Sequence, residues 1–260
     1  MSLLMKLRHD AVILVLLRLH YWKALRQAGI ISQSQHYTRY AMTQDDLPQR
    51  LRITYCKSAK LRYIGHLDLM RAWERALRRA RLPLVYTQGF TPHARIALGA
   101  PLAVGTVGER ELLDVWMSPA VTPEVLVRRL STELPEGLEL ISVEEVPYKL
   151  ASLQSQISGA TYRVFFSSET IDVDAVRIQI VDLLALDSLD WEEQRGTKVR
   201  RYDLRATIRT LALSECDQQV MLDMDLELNE ERTGRPSSIL AALKVQAQPK
   251  SVVRTRLELS

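Results

Sequence analysis

From Leu51 onward the apolar positions switch between a period of two and a period of three to four. Leu51, Ile53 and Tyr55 alternate with Arg52, Thr54 and Cys56, which predicts a short half-buried strand. After a turn over Lys57 to Arg62, Gly65-His66-Leu67-Asp68 opens a helix whose Met70, Trp73, Leu77 and Ala80 share one buried face. Leu82 to Tyr86 predicts a second strand, and Gly89 and Pro92 mark a turn carrying Phe90, His93 and Arg95. Glu111 to Trp116 reads as a strand. Thr122-Pro123 starts a helix running to about Thr132, and Gly137 precedes a strand from Leu138 to Val143. Strand, helix, strand, strand, helix, strand is the ferredoxin-like βαββαβ order.

A mixed linker, Tyr148 to Gly159, separates this from a second and more decorated round. Tyr162, Val164 and Phe166 alternate in a strand, and Val173 to Leu184 is helical with Val176, Ile180, Leu183 and Leu184 inward. Leu189 to Glu193 predicts a strand, and Lys198 to Arg205 a basic patch in which Asp203 caps a helical turn running through Arg209. Leu211 to Leu213 and Val220 to Leu228 form a hairpin around Cys216-Asp217; a helix from Arg235-Pro236 and a strand from Val252 to Leu259 close the chain. The expected architecture is α+β, with two ferredoxin-like domains in tandem at 49–150 and 159–260, and an N-terminal helical extension and linker at 1–48.

That extension has a different character. The run Ala11 to Leu17 is seven apolar residues, too short for a bilayer that needs roughly 20, so no membrane span is expected. No small-residue cleavage site follows it, and Leu7 to Ala28 reads as an appended amphipathic helix. Met42 stands before the polar Thr43 to Pro48 linker, and the functional chain is expected to begin near there.

Charge sharpens the picture. Between Arg52 and Arg95 stand ten Lys or Arg against two acids, a local net of +8 in a chain whose total is +4. The positive charge is therefore concentrated in one segment, the footprint of a surface that meets phosphates. Arg71, Arg75, Arg78 and Arg79 form a row on the first helix, and Asp68 and Glu74 are too few to neutralise it. The candidate RNA contacts are Lys57, Lys60, Arg62, Tyr63, His66, Arg71, Arg75, Arg78, Arg79, Arg81, Phe90, His93 and Arg95, with Arg201 and Arg205 from the second half. Arginine forks grip phosphate oxygens in pairs, and Tyr63 and Phe90 offer faces on which unpaired bases stack.

Other chemistry is sparse. Two cysteines, Cys56 and Cys216, exclude a zinc ribbon or a four-cysteine cluster and read as free thiols of a reducing compartment, the cytoplasm. His66 at the helix start has three readings: general acid or base, RNA contact, or structural hydrogen bonding. His66 and His93 show no metal-ligand spacing, so no metal is expected. Trp73 and Trp116 read as core aromatics, and Asp223 and Asp225 as a solvent face of a strand.

The string from Leu61 to Ala80, followed by Leu82-Pro83-Leu84, Gln88-Gly89-Phe90, Pro92, Pro101-Leu102, Val104-Gly105 and Leu113-Asp114-Val115, resembles the radical SAM-associated family that carries the domain of unknown function 2344. The similarity extends to Asp203-Leu204-Arg205, Arg235-Pro236 and Val253-Arg254-Thr255. Thr91 and Ala94 depart from the Asn and Pro common in the family. The resemblance implies a stand-alone partner of a radical SAM enzyme in RNA modification or processing. The chain itself lacks a C-x-x-x-C-x-x-C motif and so cannot hold the cluster; no cofactor is expected in it, and the resemblance implies that the iron-sulfur cluster and S-adenosylmethionine sit in the partner. Two alternatives stand beside this one. The first is a metal-independent ribonuclease of ferredoxin-like type using His66, the second a protein-interaction adaptor that touches no nucleic acid.

Overall fold

The computed structural model describes residues 47–88, 90–196, 198–229 and 231–260. The helix read over Leu7 to Ala28 and the turn residue Gly89 lie outside the described residues. Leu47–Ser260 form one compact unit. In chain order its elements are β1 (Gln49–Lys57), α1 (His66–Arg79), β2 (Ile96–Leu98), β3 (Thr106–Met117), α2 (Pro123–Leu130) and β4 (Leu138–Val146). There follow a short α3 (Leu153–Gln156), β5 (Ile157–Ser167), α4 (Val173–Ala185), β6 (Asp190–Arg195), β7 (Lys198–Asp203), β8 (Ile208–Cys216), β9 (Gln219–Glu227), α5 (Pro236–Ala242) and β10 (Ser251–Leu259).

These strands build a large, mostly antiparallel sheet in the order β4-β1-β3-β10-β5-β9-β8, with β2 pairing on β3. The class is α+β. Strand β3 has two neighbours along one edge. Its Leu113 to Val115 pair antiparallel with β2, and its Thr106 to Gly108 pair parallel with Val252 to Arg254 of β10. Because β2 is only three residues long, the rest of that edge is left for β10, and the sheet runs on into the second half.

Two apolar clusters lie in this unit. One packs Leu51, Ile53 and Tyr55 of β1 and Leu113 and Val115 of β3 against Leu69, Trp73 and Leu77 of α1 and Leu126 and Leu130 of α2. The other packs Tyr162, Val164 and Phe166 of β5 and the inward residues of β9 against Val176, Ile180 and Leu183 of α4 and Ile239 of α5. The helix faces inferred from periodicity for α1 and α4 are the faces that are buried, because apolar side chains three and four apart share one side of a helix.

Strand β1 departs from the half-buried expectation. Arg50 and Arg52, on its polar side, are also buried. Arg52 sits opposite Asp114 in register, and the single Asp114 carboxylate accepts from both arginines: Arg50 Nε at 2.8 Å and Nη2 at 2.5 Å, Arg52 Nε at 2.9 Å and Nη2 at 3.1 Å. Arg50 also donates to the Leu150 and Ala151 carbonyls, and Arg52 to Gln156 Oε1, so the 150–156 segment covers this face.

A second difference is β6, which pairs with β7 as a separate ribbon. Glu192 lies opposite Arg201 and Glu193 opposite Arg200, and opposite charges facing each other across strands favour this register. Asp203 caps the following turn, accepting from Leu189 N–H at 2.9 Å and Ala206 N–H at 3.4 Å. That turn spans Arg205–Thr207, and Ile208 then begins β8, so it stops short of the predicted Arg209.

At the β3–β10 junction a buried ion pair crosses the seam. Arg254 is 1% exposed and Glu111 2%. Arg254 donates to both Glu111 oxygens, at 2.8 and 2.5 Å, and to the carbonyls of Ala100 and Pro101. Gly108 makes room: a Cβ there would lie 2.5 Å from Glu111 Cγ. Removing one member of a buried pair strands the other's charge, which costs about 3–5 kcal/mol. Glu111→Leu and Arg254→Met are therefore each expected to lose about that much stability in urea unfolding, and the double variant less than the sum.

Candidate nucleic-acid interface

Helix α1 carries the site. Leu69, Trp73, Ala76 and Leu77 are buried, which turns Leu67, Arg71, Arg75 and Arg78 outward along a helix roughly 20 Å long. Arg71 pairs with Asp68 at 3.2 Å and Arg78 with Glu74 at 2.7 Å. The first pair is exposed on both sides, and in the second Arg78 is exposed while Glu74 is half-buried; surface pairs of this kind are worth at most about 1 kcal/mol, so a phosphate can compete for both guanidinium groups. Arg75 and Arg81 are exposed and have no ion-pair partner among the described residues. Arg81 adopts the left-handed region, φ 51°, at the turn that ends α1, and its carbonyl accepts a hydrogen bond from Arg129.

Aromatic side chains stand at both ends of this stripe. Near its start, the Arg62 guanidinium lies 4.8 Å over the Tyr63 ring; Tyr63 and Leu67 are each 69% exposed. Near its end, Arg78 lies 5.6 Å from the centre of the exposed Tyr86 ring. Tyr86 begins a hairpin-like excursion closed by its bridge to Ala94, by Thr87 N–H donating to His93 O at 2.8 Å, and by Arg95 N–H donating to Val85 O at 2.7 Å. Phe90 lies in the tip of this excursion and is fully exposed. Sequence reasoning missed Tyr86 because Leu82 to Tyr86 reads there as a strand; the structure gives that stretch only isolated bridges at Leu84 and Tyr86, and Ile96–Leu98 forms the strand instead.

The structure sorts the other candidates. Lys57 is buried; its Nζ donates to the Arg62 and Thr106 carbonyls at 3.3 and 3.2 Å, and burial pulls its ammonium below the usual lysine range, with Glu111 partly opposing. It is a tie beneath the surface and does not meet solvent. Lys60 is exposed but paired with Glu136, and Arg79 with Glu133, whose carboxylate accepts from its Nε at 3.0 Å. Arg95 is half-buried, lying 4.3 Å over the Trp116 ring and donating to the Tyr148 hydroxyl at 3.2 Å, so it anchors the base of the excursion. Arg205 donates to the carbonyls of Leu184 and Ile208, a structural role. Arg201 is exposed on the β6–β7 ribbon and paired with Glu192 at 2.6 Å.

His66 is the first residue of α1, half-buried, and its ring makes no hydrogen bond to another described residue. His93 is exposed; its backbone N–H donates to Thr87 Oγ1 at 3.1 Å. Among the described residues no cluster of His, Cys, Asp or Glu has the geometry to hold a metal ion, and no helix is long and apolar enough to cross a membrane. Trp73 and Trp116 are core aromatics as expected, although the Trp116 indole N–H has no hydrogen-bond partner among the described residues. Asp223 pairs with Arg163 at 2.7 Å on the polar face of β9; Asp225 lies 3.8 Å from Arg209, and burial together with Glu258 raises its carboxyl above the usual range.

The arrangement suits binding to a phosphodiester chain with unpaired bases. It combines exposed guanidinium groups in a row with exposed aromatic side chains at both ends.

Comparison with known proteins places the chain by family. The family described as "Uncharacterized protein conserved in bacteria (DUF2344)" matches residues 50–236. The chain belongs to that family. No curated protein matches it. Among solved structures, it resembles a chain of a Cbf5-Nop10-Gar1 complex with a TM-score of 0.46 and 13% identity, covering 80% of this chain and 48% of that one. A chain of an archaeal box H/ACA sRNP Nop10-Cbf5 complex gives a TM-score of 0.41 at 13% identity, over 85% and 50%. A protein described as a putative glycine cleavage system transcriptional repressor gives 0.22 at 12%, over 80% and 99%. This chain spans about half the length of the first two.

The two thiols of this DUF2344 protein provide a check on the geometry around β1. Cys56 is half-buried, and burial, then Glu139, Glu109 and Glu111, push its thiol up. Cys216 is exposed at the end of β8. Because the thiolate is the nucleophile, alkylation followed by peptide mapping is expected to modify Cys216 first. Cys56 reacts more slowly, with a rate still rising at a pH above the ordinary thiol range.

Proposed function

We propose that this chain is an RNA-binding accessory subunit of a radical SAM enzyme engaged in RNA modification or processing. It works in the cytoplasm without catalysis of its own, and its partner holds the iron-sulfur cluster and S-adenosylmethionine. The observation that carries the RNA reading is the exposed row Arg71, Arg75 and Arg78, set between Tyr63 at one end of α1 and Tyr86 and Phe90 at the other. The radical SAM partnership rests on what the motif resemblance around Leu61 to Ala80 implies.

The two-domain, ferredoxin-like reading belongs to the same proposal. The order β4-β1-β3-β2 in residues 49–150 and the order β10-β5-β9-β8 in residues 159–260 support it. Each places the fourth, first, third and second strand of its half side by side, with β6 and β7 as an insertion in the second. The ribonuclease alternative has only His66 behind it, and among the described residues no hydrogen bond orients that ring or shares its proton.

Binding of the full chain to single-stranded RNA, measured across a salt series, tests this reading. Log affinity is expected to fall linearly with log salt, and replacing Arg71, Arg75 and Arg78 by Ala to flatten the slope by about 0.7 per arginine that meets a phosphate. His66→Ala leaves intact RNA intact, as the wild type does. RNA-free retention of an acidic partner protein would favour the adaptor instead, and RNA cleavage lost in His66→Ala the nuclease.

A further inference from the structure

Helix α4 has an apolar outer face that its own core does not use. Val176, Ile180 and Leu183 point inward and are buried, whereas Ile178 and Val181 are 62% and 64% exposed. They line a shallow apolar depression with Asp174, Arg177 and Asp182, and Leu186 just beyond the helix is exposed as well. Positions 174, 177, 178, 181, 182 and 185 fall within one outward stripe at 100° per residue.

The charges on this stripe select a partner. Arg177 is exposed and Asp182 is exposed with no ion-pair partner among the described residues. If two copies of α4 cross antiparallel about a two-fold axis midway between Gln179 and Ile180, residue numbers facing each other add to a constant. Ile178 then meets Val181 of the other copy, and Arg177 meets its Asp182. Each of these contacts occurs twice, as an isologous interface requires. The apolar pair sits at the centre and the ion pairs flank it, with the small Ala185 opposite Asp174.

We propose that α4 is a self-association surface and that this chain forms a two-fold dimer through the Ile178–Val181 face. Arg177 already reaches Asp174 at 3.4 Å and Glu215 at 3.0 Å; both contacts are exposed and compatible with sharing its guanidinium with a second copy. One helix of 13 residues makes a small interface, below the size of stable complexes, so the dimer is a dissociating one whose population follows concentration.

Sedimentation velocity of the full chain over a concentration series tests this. The weight-average mass is expected to climb from that of the 29.7 kDa chain toward twice that value. Ile178→Asp is expected to weaken association at least tenfold. Arg177→Asp and Asp182→Arg, which place like charges opposite each other, should each weaken it, and the combined Arg177→Asp/Asp182→Arg variant should restore it. Circular dichroism confirms that each variant keeps its fold. A chain that stays monomeric at every concentration overturns the proposal, including the case where a different protein or residues 1–46 cover Ile178. So does a dimer indifferent to Ile178→Asp, or a charge reversal that fails to rescue.

Discussion

The buried Arg254–Glu111 pair is the constraint on which the rest of this structure depends. It lies where the parallel β3–β10 pairing joins one half of the sheet to the other, and it brings a full charge from each side of that seam out of water. Burial opposes the Arg254 charge, and Glu111 more than offsets it, holding the guanidinium above its already high range. Burial and then the Glu111 charge push the Tyr55 hydroxyl far above its usual range, so it stays neutral. Such a pair adds little net stability over apolar side chains of the same volume. Its consequence is registry: β10 cannot slide along β3 without stranding both charges.

The same network reaches the surface. Lys57 follows Tyr55 by two positions on β1, and its ammonium ties the Thr106 carbonyl at the start of β3 to the Arg62 carbonyl in the loop before α1. Gly105 N–H donates to that same Arg62 carbonyl at 2.7 Å. The loop presenting Arg62 and Tyr63 is therefore held from below by the polar cluster at the seam. On the other sheet face, Asp114 collects Arg50 and Arg52, while Trp116 lies under Arg95. Both ends of the basic surface thus rest on β3. A rigid platform beneath exposed guanidinium groups reduces the entropy lost when they grip a ligand.

Much of this was legible in the sequence, and what was not has physical causes. The faces of α1 and α4 follow from helical periodicity, and the Asp203 turn from its capping chemistry, short-range effects that leave a pattern within a dozen residues. The buried positions of Arg50, Arg52, Lys57, Glu111 and Arg254 do not, because alternation assigns polar side chains to water and the groups that bury these are remote. Arg254 and Glu111 lie 143 positions apart. For the same reason the raw +8 of the segment overstates its surface charge. Glu133 and Glu136, 54 and 76 positions from Arg79 and Lys60, neutralise those two cations, and Asp114 holds a third, Arg52, beneath the sheet. The β6–β7 ribbon escaped because its pairing rests on cross-strand charges, which carry no apolar alternation. What survives as a candidate site is smaller than the original set: Arg62, Arg71, Arg75, Arg78 and Arg81, with Tyr63, Tyr86 and Phe90.

The central claim is that this reduced surface on α1 touches RNA. Ultraviolet cross-linking of the chain to the RNA that accompanies it from cells, followed by mass spectrometry of the peptides, addresses it most directly, because stacked aromatic side chains form the adducts. The account predicts adducts on peptides containing Tyr63, Tyr86 or Phe90. Adducts confined to β6–β7 or to the polar face of β9, or their complete absence from a chain that retains its protein partner, would contradict it.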